Sequence, residues 1–353
     1  MSDTEKISDI SKIDKNFIIN SNIDKDNVVF HDIEDDPFKI YGVFWKDGQY
    51  RRIDKDVADG ISEMVGYLSV RTSGGRIRFV TDSAYVAISS KMGPPIKTSH
   101  FTLAGTSGFD MYADNEYAHT FMPPQSMENG YDGIAEFPDK KIREITLNFP
   151  LYAETHKVYI GLEKGSVLKE ASPYKIEKPV VFYGSSITMG GCASRAGNCY
   201  ENILSRKFSF DYINLGFSGG ALGEDEMTEY INSLDMSAFV LDYDHNAPEV
   251  DVLIRTHEKM YKAIRKAHPD IPIIIMARPQ YNLTEDDVKR CEVTSATYKN
   301  AIAAGDKNVF YVSHRELTQL CKGEGTVDGV HPNDFGFASM AMALSKIFEK
   351  LDL

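Results

Sequence analysis

The hydrophobic pattern changes in the middle of the chain, and this change constrains the fold more than any other feature. Between residues 29 and 164, apolar side chains alternate with polar ones in short stretches, of which Ile145, Leu147 and Phe149 are an example. A period of two is typical of strands that bury one face. Gly and Pro separate these stretches at roughly ten-residue intervals, as in sandwich domains. We therefore predict a jelly-roll-like β-sandwich domain over 29–164.

Near residue 80, the same alternation predicts a β-hairpin. Ile77 and Phe79 are the apolar positions of one stretch, and residues 85–88 form the next. A polar turn over 81–83 joins the two stretches. We expect them to pair with each other as antiparallel neighbours.

From residue 179 onward, the pattern is that of strands alternating with helices. Residues 179–183 are a continuous apolar run, which is typical of a strand buried on both faces. Further apolar runs lie at 212–215, 238–241, 271–276 and 309–312, and helix-like segments lie at 200–207, 250–267, 285–304 and near the C-terminus. This alternation predicts a doubly wound α/β domain over 179–353, with a parallel sheet covered on both faces. The polar stretch over 165–178 is expected to be a linker.

Length and charge exclude several classes of protein. The chain has 353 residues, more than a single hydrophobic core usually serves, so two domains are expected. The net charge of −13 argues against a nucleic-acid partner, because such binding needs Lys and Arg to displace counterions. No apolar run approaches the ~20 residues that span a bilayer, so no membrane partner is expected.

The N-terminal residues and the cysteines bear on the cellular compartment. Residues 1–28 are rich in Asp, Lys, Ile and Asn and are expected to form a leader. They lack the apolar stretch of a signal peptide, so we expect a cytoplasmic protein. The four cysteines show no CxxC pair and no His at zinc-finger spacing. Their spacing therefore indicates neither a zinc site nor a disulfide framework.

The loop after the first apolar run carries a candidate nucleophile. In doubly wound sheets, ligands bind beyond the carboxyl ends of the strands. The loop over 184–191 places Ser186 there, among glycines that permit a sharp turn. Ser186 is then either a nucleophile with an exposed hydroxyl or the N-cap of the next helix. A phosphate-binding loop is a third interpretation, but neither Gly-Lys-Ser/Thr nor GxGxxG occurs there, so we set it aside.

The loops after the next two strands offer groups that can point into the same crevice. Gly219 can bring a backbone N–H close to a ligand, or form an ordinary tight turn. Asn246 can donate the amide N–H that an oxyanion needs, or cap the following helix. Asp242, Asp244 and His245 beside it are metal-ligand types, although no further ligand cluster converges in the sequence.

The segment Asp-Gly-Val-His-Pro-Asn over 328–333 is predicted to form a rigid turn before the last helix. Asp328 and His331 are three residues apart in it, so the carboxylate can lie beside the imidazole. A carboxylate in that place fixes the tautomer of the histidine and stabilises the imidazolium that forms when it accepts a proton. The pair is therefore a candidate general base with its orienting group.

These four loops, in this order, resemble the SGNH (GDSL-type) hydrolase superfamily. That family carries a nucleophilic Ser near the start of its domain, then a Gly, an Asn and a closing Asp-x-x-His. On this chain, the positions fall on Ser186, Gly219, Asn246, Asp328 and His331. The resemblance covers the whole C-terminal half and implies a flavodoxin-like, three-layer hydrolase domain with a parallel sheet.

The N-terminal half resembles the Gly-x-Asp-Leu-Tyr β-sandwich that precedes the hydrolase domain in one bacterial branch. Residues 108–112, Gly-Phe-Asp-Met-Tyr, carry this resemblance, and the stretch over 149–162 is also similar. One departure occurs in the second half, where Ser185 takes the place of the Asp in Gly-Asp-Ser. That Asp takes no part in proton transfer. The substitution therefore argues against a lipase-like assignment more than against the catalytic residues.

The resemblance implies a serine esterase that uses no metal or organic cofactor. Ser186 would attack an ester carbonyl while His331, oriented by Asp328, accepts its proton. The backbone N–H groups of Ser186 and Gly219 and the side-chain amide of Asn246 would form the oxyanion hole. Water would then hydrolyse the acyl-enzyme.

The substrate implied by the resemblance is a small acyl ester, most simply an acetyl ester, on a sugar or oligosaccharide. Arg278, after the fourth strand, would contact that substrate or form a salt bridge with a nearby carboxylate. Trp45, Tyr112 and Tyr117 would stack on a sugar or belong to the core or ordinary surface. A lipase- or thioesterase-type acyl hydrolase and an inactive glycan-binding module are the alternatives. The oligomeric state stays open.

Overall fold

The computed structural model describes residues 23–351. Of the expected leader over 1–28, residues 1–22 therefore lie outside the described part of the chain. The described part contains antiparallel sheets in its N-terminal half and one parallel sheet in its C-terminal half. The change in hydrophobic pattern predicts this division.

Short strands and three short helices build the N-terminal half. The strands are β1 (Val28–Asp32), β2 (Lys39–Tyr41), β3 (Phe44–Lys46), β4 (Gln49–Arg51), β5 (Arg76–Thr81), β6 (Tyr85–Met92), β7 (Phe109–Ala113), β8 (Glu116–Phe121), β9 (Asp132–Glu136), β10 (Arg143–Asn148), β11 (Thr155–Glu163) and β12 (Leu168–Lys169). The helices are α1 (Lys55–Ile61), α2 (Glu63–Leu68) and α3 (Leu103–Ser107).

Two antiparallel sheets share one apolar core, which confirms the predicted sandwich. One sheet has the order β1-β11-β6-β9, and the other has the order β12-β5-β10-β7-β8 with β2 paired to β5. Strand residues of both sheets, such as Ile77, Ile88, Leu147 and Ile160, are fully buried in the common core. The strands β3 and β4 form a separate two-stranded ribbon.

The predicted hairpin near residue 80 is wrong. The strands β5 and β6 follow each other in the chain but lie in opposite sheets, where β5 pairs with β10 and β6 pairs with β11. Alternation requires only that one face of each strand be buried, and it does not select the partner strand. Phe79 is buried in the common core from one sheet, and Ile88 is buried in the same core from the other sheet.

Five parallel strands, separated by helices, form the C-terminal half. The strands are β13 (Ile176–Gly184), β14 (Phe210–Gly216), β15 (Ala238–Asp242), β16 (Ile273–Met276) and β17 (Val309–Val312), and the helices are α4 (Tyr200–Phe208), α5 (Asp225–Asn232), α6 (Val250–Ala267), α7 (Glu285–Ala303), α8 (His314–Leu317) and α9 (Asp334–Phe348). The order β14-β13-β15-β16-β17 is that of a flavodoxin-like sheet, as expected. Helix α4 packs with α9, and α6 packs with both α5 and α7. None of the helices described here is long and apolar enough to cross a membrane.

The N-terminal half also contributes to the core of the parallel-sheet domain. Helices α1 and α2 place Ile61, Val65 and Leu68 in the apolar cluster that contains the strand residues of the parallel sheet. Ser62, between the two helices, caps α2 by accepting the Val65 N–H on its hydroxyl at 3.2 Å. The two halves therefore share apolar packing where they meet.

A buried arginine joins the two halves. Arg76, on β5 of the sandwich, is 1% exposed, and its Nη2 donates to the carbonyl oxygen of Tyr212 at 3.1 Å. Its guanidinium carbon lies 3.8 Å from the centre of the Tyr212 ring, and Nη2 also pairs with Asp211. At this position, the outer face of the sandwich is covered by the parallel-sheet domain.

Candidate active site

A tight turn at the carboxyl end of β13 carries Ser186. Gly184 ends the strand where a Cβ would collide with the backbone of Asp242. Ser185 donates its N–H to the Asp242 carbonyl oxygen at 3.2 Å and accepts the Ile187 N–H on its hydroxyl at 3.1 Å. Serine hydroxyls can close turns in this way, as Asp side chains also do. Ser185 therefore holds the turn at the position where the family has Asp.

The structure brings Ser186, His331 and Asp328 together. Ser186 Oγ lies 2.9 Å from His331 Nε2, and His331 Nδ1 lies 2.7 Å from Asp328 Oδ2. Ser186 is not the N-cap of the next α-helix, because α4 does not begin until Tyr200. A chain of hydroxyl, imidazole and carboxylate is the arrangement that can activate a serine as a nucleophile.

Asp328 is held as an ionised carboxylate. Its Oδ1 accepts the backbone N–H groups of Val330 at 3.0 Å and His331 at 2.8 Å. Partial burial raises the pKa of Asp328, but these N–H groups and the His331 ring outweigh it and lower the pKa to about 2. The carboxylate is therefore charged near neutral pH and can pair with an imidazolium.

Gly219 and Asn246 contact each other on the loops after β14 and β15, the two neighbours of β13. Gly219 has a φ of +73°, which favours glycine. Its N–H donates to Asn246 Oδ1 at 3.3 Å, and Asn246 Nδ2 donates to the Phe217 carbonyl oxygen at 2.6 Å. Among the described residues, the Ser186 backbone N–H has no hydrogen-bond acceptor. This end of the sheet therefore offers donors to an anionic oxygen.

A second buried arginine holds the loop that carries Asn246. Arg290, on α7, donates through Nη1 to the carbonyl oxygens of Asp244 at 3.0 Å and Ala247 at 2.7 Å. These two carbonyls flank Asn246, so Arg290 fixes the path of the loop around it. The sequence analysis missed Arg290, because it lies within a helix and belongs to no motif.

Arg278 forms a buried salt bridge, one of its two predicted interpretations. Its Nε lies 3.3 Å from Asp244 Oδ2, and the guanidinium also pairs with Asp287. Its Nη2 lies 3.3 Å from Nδ1 of His245, and burial and then the nearby Arg278 lower the pKa of that histidine well below its ordinary value. Within the described residues, Asp242, Asp244 and His245 do not form a metal-ligand cluster.

The motif over 108–112 anchors the sandwich to the loop that leads into α4. Asp110 is fully buried and accepts hydrogen bonds from Asn148 Nδ2 at 2.8 Å, Arg195 Nη1 at 2.7 Å and the Gly197 N–H at 2.8 Å. A Cβ on Gly197 would collide with the Tyr112 ring. The motif therefore has a structural role that its sequence did not disclose.

The three aromatic residues considered as sugar platforms have other contacts. The hydroxyl of Tyr112 accepts from Arg195 at 2.5 Å, and the Tyr117 ring centre lies 4.2 Å from the same guanidinium carbon. Trp45 is 42% exposed, and its Nε1 donates to the His156 carbonyl oxygen at 3.0 Å. Tyr112 and Tyr117 therefore belong to the anchor around Asp110.

The N-terminal half also supplies side chains beside His331. The ring centre of His331 lies 6.3 Å from that of Phe101 and 5.7 Å from that of His100. The Phe101 ring centre lies 4.8 Å from that of Tyr152, whose hydroxyl donates to the Ser186 carbonyl oxygen at 3.4 Å. The sequence analysis missed all three roles. Only Tyr152 lay in a stretch with a signal, since 149–162 resembles the GxDLY branch.

Family models match almost all of the described chain. The GDSL-like lipase/acylhydrolase family matches residues 177–349, and the GxDLY domain, the N-terminus of SGNH hydrolase-type esterases, matches residues 28–168. A search of curated proteins found no match.

Solved structures share this two-part architecture. A protein assigned as a GDSL-like lipase from Bacteroides ovatus has a TM-score of 0.81 at 26% identity, over 92% of this chain and 98% of that one. The salicylyl-acyltransferase SsfX3 of a tetracycline biosynthetic pathway has a TM-score of 0.75 at 18% identity, over 93% and 99%. A family two carbohydrate esterase from Cellvibrio japonicus has a TM-score of 0.60 at 11% identity, over 92% and 97%. These likenesses show a common fold, and the two family matches show that the chain belongs to the SGNH (GDSL-like) hydrolases with an N-terminal GxDLY domain and is an ester hydrolase.

Proposed function

We propose that the protein is a serine esterase in which Ser186 is the nucleophile, His331 the general base and Asp328 its orienting group. The observation that carries the proposal is the continuous chain of contacts from Ser186 Oγ through His331 to Asp328, at 2.9 Å and 2.7 Å. Ser186 Oγ attacks the ester carbonyl as its proton passes to His331 Nε2. That proton then goes to the leaving alcohol, and a water activated by His331 releases the acid. This chemistry requires no metal or organic cofactor.

The proposed oxyanion hole consists of the backbone N–H groups of Ser186 and Gly219 and the amide of Asn246. The Gly219 N–H donates to Asn246 Oδ1 over 3.3 Å, a long hydrogen bond that an anionic oxygen can replace. The Asn246 amide also has a second Nδ2 hydrogen besides the one donated to Phe217. Each such donor typically accounts for roughly a 100- to 1000-fold effect on rate.

The proposed substrate is a small acyl ester, most simply an acetyl ester, on a sugar or oligosaccharide. The Phe101 ring centre lies 4.8 Å from that of Tyr152 and 6.3 Å from that of His331, and bulky rings so near the general base favour a short acyl group over a long chain. One structure of similar fold, with a TM-score of 0.56 at 13% identity, is an acetyl xylan esterase from Butyrivibrio proteoclasticus. The cytoplasmic location inferred from the sequence stays a prediction.

The nucleophile is tested with Ser186→Ala on an activated acetyl ester such as p-nitrophenyl acetate. We expect kcat to fall by at least about 1000-fold. Ser185→Ala is the matched control, because that neighbouring hydroxyl accepts the Ile187 N–H instead of contacting His331, and it should lose far less activity. Near-wild-type turnover by Ser186→Ala would contradict the assignment.

Covalent labelling separates an esterase from an inactive glycan-binding module. A fluorophosphonate reacts only with an activated serine, so it should label the wild type and Ser185→Ala but not Ser186→Ala. Peptide mass spectrometry should then locate the label on Ser186. An unlabelled wild-type protein that still binds oligosaccharides would favour the binding module.

The substrate class is tested by comparing acetyl, butyryl and octanoyl p-nitrophenyl esters and then acetylated xylo-oligosaccharides. We expect kcat/KM to fall with acyl length and acetate to be released from the oligosaccharides. A maximum at octanoyl would favour the lipase-type alternative.

A further inference from the structure

Three side chains with soft metal-ligand atoms converge beside Ser186. His100, Cys192 and His331 each offer one ligand atom, and these atoms all lie within 4.8 Å of one another. The three residues come from an N-terminal loop, the loop after Ser186 and the turn before α9. They are far apart in the chain, so the cysteine spacing gave no signal of this cluster.

The geometry is close to that of a zinc site. With ordinary Zn–N and Zn–S bond lengths, tetrahedral ligands are about 3.3–3.6 Å apart. The three ligand atoms therefore have to approach one another by at most about 1.5 Å, within the reach of side-chain rotation. His100 is exposed on an irregular segment and can make this adjustment, whereas Cys192 is only 7% exposed.

The groups around the cluster favour a cation. His331 Nδ1 contacts Asp328 Oδ2 at 2.7 Å, which leaves Nε2 as the ligand atom. Metal-bound histidines commonly donate their other ring N–H to a carboxylate in this way.

We propose that His100, Cys192 and His331 form an inhibitory binding site for Zn²⁺ or a similar soft divalent cation. Binding forms one Zn–S and two Zn–N bonds, releases the Cys192 thiol proton to solvent, and leaves a fourth position for water. The lone pair of His331 Nε2 is then held by the metal. Inhibition follows if His331 is the general base, so this consequence rests on the proposed function, whereas metal binding does not.

Inhibition is tested by titrating Zn²⁺ into the full-length enzyme during hydrolysis of p-nitrophenyl acetate. Wild-type activity should fall at least tenfold and return when EDTA is added. Measured against the zinc-free activity of each variant, His100→Ala and Cys192→Ser should raise the half-inhibitory concentration by at least about tenfold, because each removes one ligand. His156→Ala and Cys291→Ser are the matched controls and should behave as the wild type. Equal inhibition of all five proteins would overturn the proposal.

Binding itself is tested with Co²⁺, which reports a thiolate ligand by a charge-transfer band in the near ultraviolet. The band should appear in the wild type and in Ser186→Ala and be absent from Cys192→Ser. Because Ser186→Ala is expected to be inactive, its band separates metal binding from catalysis. If the band appears while Ser186→Ala keeps full turnover, the esterase assignment fails and the metal site stands. If no band appears in the wild type or in Ser186→Ala, the metal site fails.

Discussion

Asp328 contacts His331 through both of its carboxylate oxygens. Oδ1 accepts the His331 backbone N–H at 2.8 Å, and Oδ2 contacts the ring Nδ1 at 2.7 Å. One side chain therefore fixes both the backbone turn and the plane of the imidazole. An uncharged amide at this position would keep the shape of the turn, but it could direct an N–H donor at Nδ1 of the His331 ring.

We predict that Asp328→Asn lowers kcat by roughly 10,000-fold, because the amide favours the wrong histidine tautomer. Steady-state kinetics of p-nitrophenyl acetate hydrolysis measure this change in kcat, with the surface variant Asp235→Asn as the control. A loss below tenfold would mean that the carboxylate does not orient His331.

The low pKa of Asp328 also predicts how stability depends on pH. Its pKa is lowered from 3.8 to about 2 in the folded protein, so the ionised form stabilises the fold above about pH 4, and this contribution is lost as pH falls toward 2. The difference in urea midpoint between the wild type and Asp328→Asn should therefore be constant above pH 4 and shrink below it. A difference that grows in acid would contradict this sign.

At the scale of elements, helix α7 reaches across to the loop after β15. Arg290 donates to the two carbonyl oxygens on either side of Asn246, at 3.0 Å and 2.7 Å. A helix on the flank of the sheet therefore positions a group that is proposed to bind the oxyanion. Arg290 is a positioning residue, since its guanidinium acts through the loop.

We predict that Arg290→Ala lowers kcat with little change in KM and that Arg290→Lys, which keeps a cationic donor, lowers it less. Asn246→Ala alone should lower kcat by roughly 100- to 1000-fold. Adding Arg290→Ala to Asn246→Ala should then have almost no further effect on kcat, because the group being positioned is gone. Fully additive losses would mean that Arg290 does not act through Asn246.

The elements that sequence predicts best are long or uniformly apolar. The helix expected over 250–267 is α6 with the same bounds, and the apolar run over 309–312 is β17. The helices α1, α2 and α5 were missed, because each has at most eight residues and so offers little helical periodicity. In the site, Ser186, Asp328 and His331 were predictable from motifs. His100 and Phe101 were not, since they lie on an irregular segment that only tertiary packing brings to His331.

At the scale of the whole molecule, the two halves are joined by packing and by charge. Arg76 and Asp211 form a largely buried ion pair across the boundary, with side chains 1% and 16% exposed. Removing one partner of a buried pair leaves the other charge without compensation.

We therefore predict that Arg76→Ala destabilises the protein by about 3–5 kcal/mol. Lys178→Ala is the control, because its pair with Asp235 is exposed, and it should cost at most about 1 kcal/mol. Scanning calorimetry should show one unfolding transition for the wild type and for the control, and a lower-temperature or divided transition for Arg76→Ala. Equal thermal stability of the two variants would rule out a stabilising role for the Arg76 pair.

The helices α1 and α2 have a consequence for engineering. Their apolar side chains fill part of the core beneath the parallel sheet, so a fragment that begins at residue 176 would carry an open apolar cleft where Ile61, Val65 and Leu68 belong. Chimaeras that exchange the sandwich for another domain must therefore retain the segment over 53–68 from this chain.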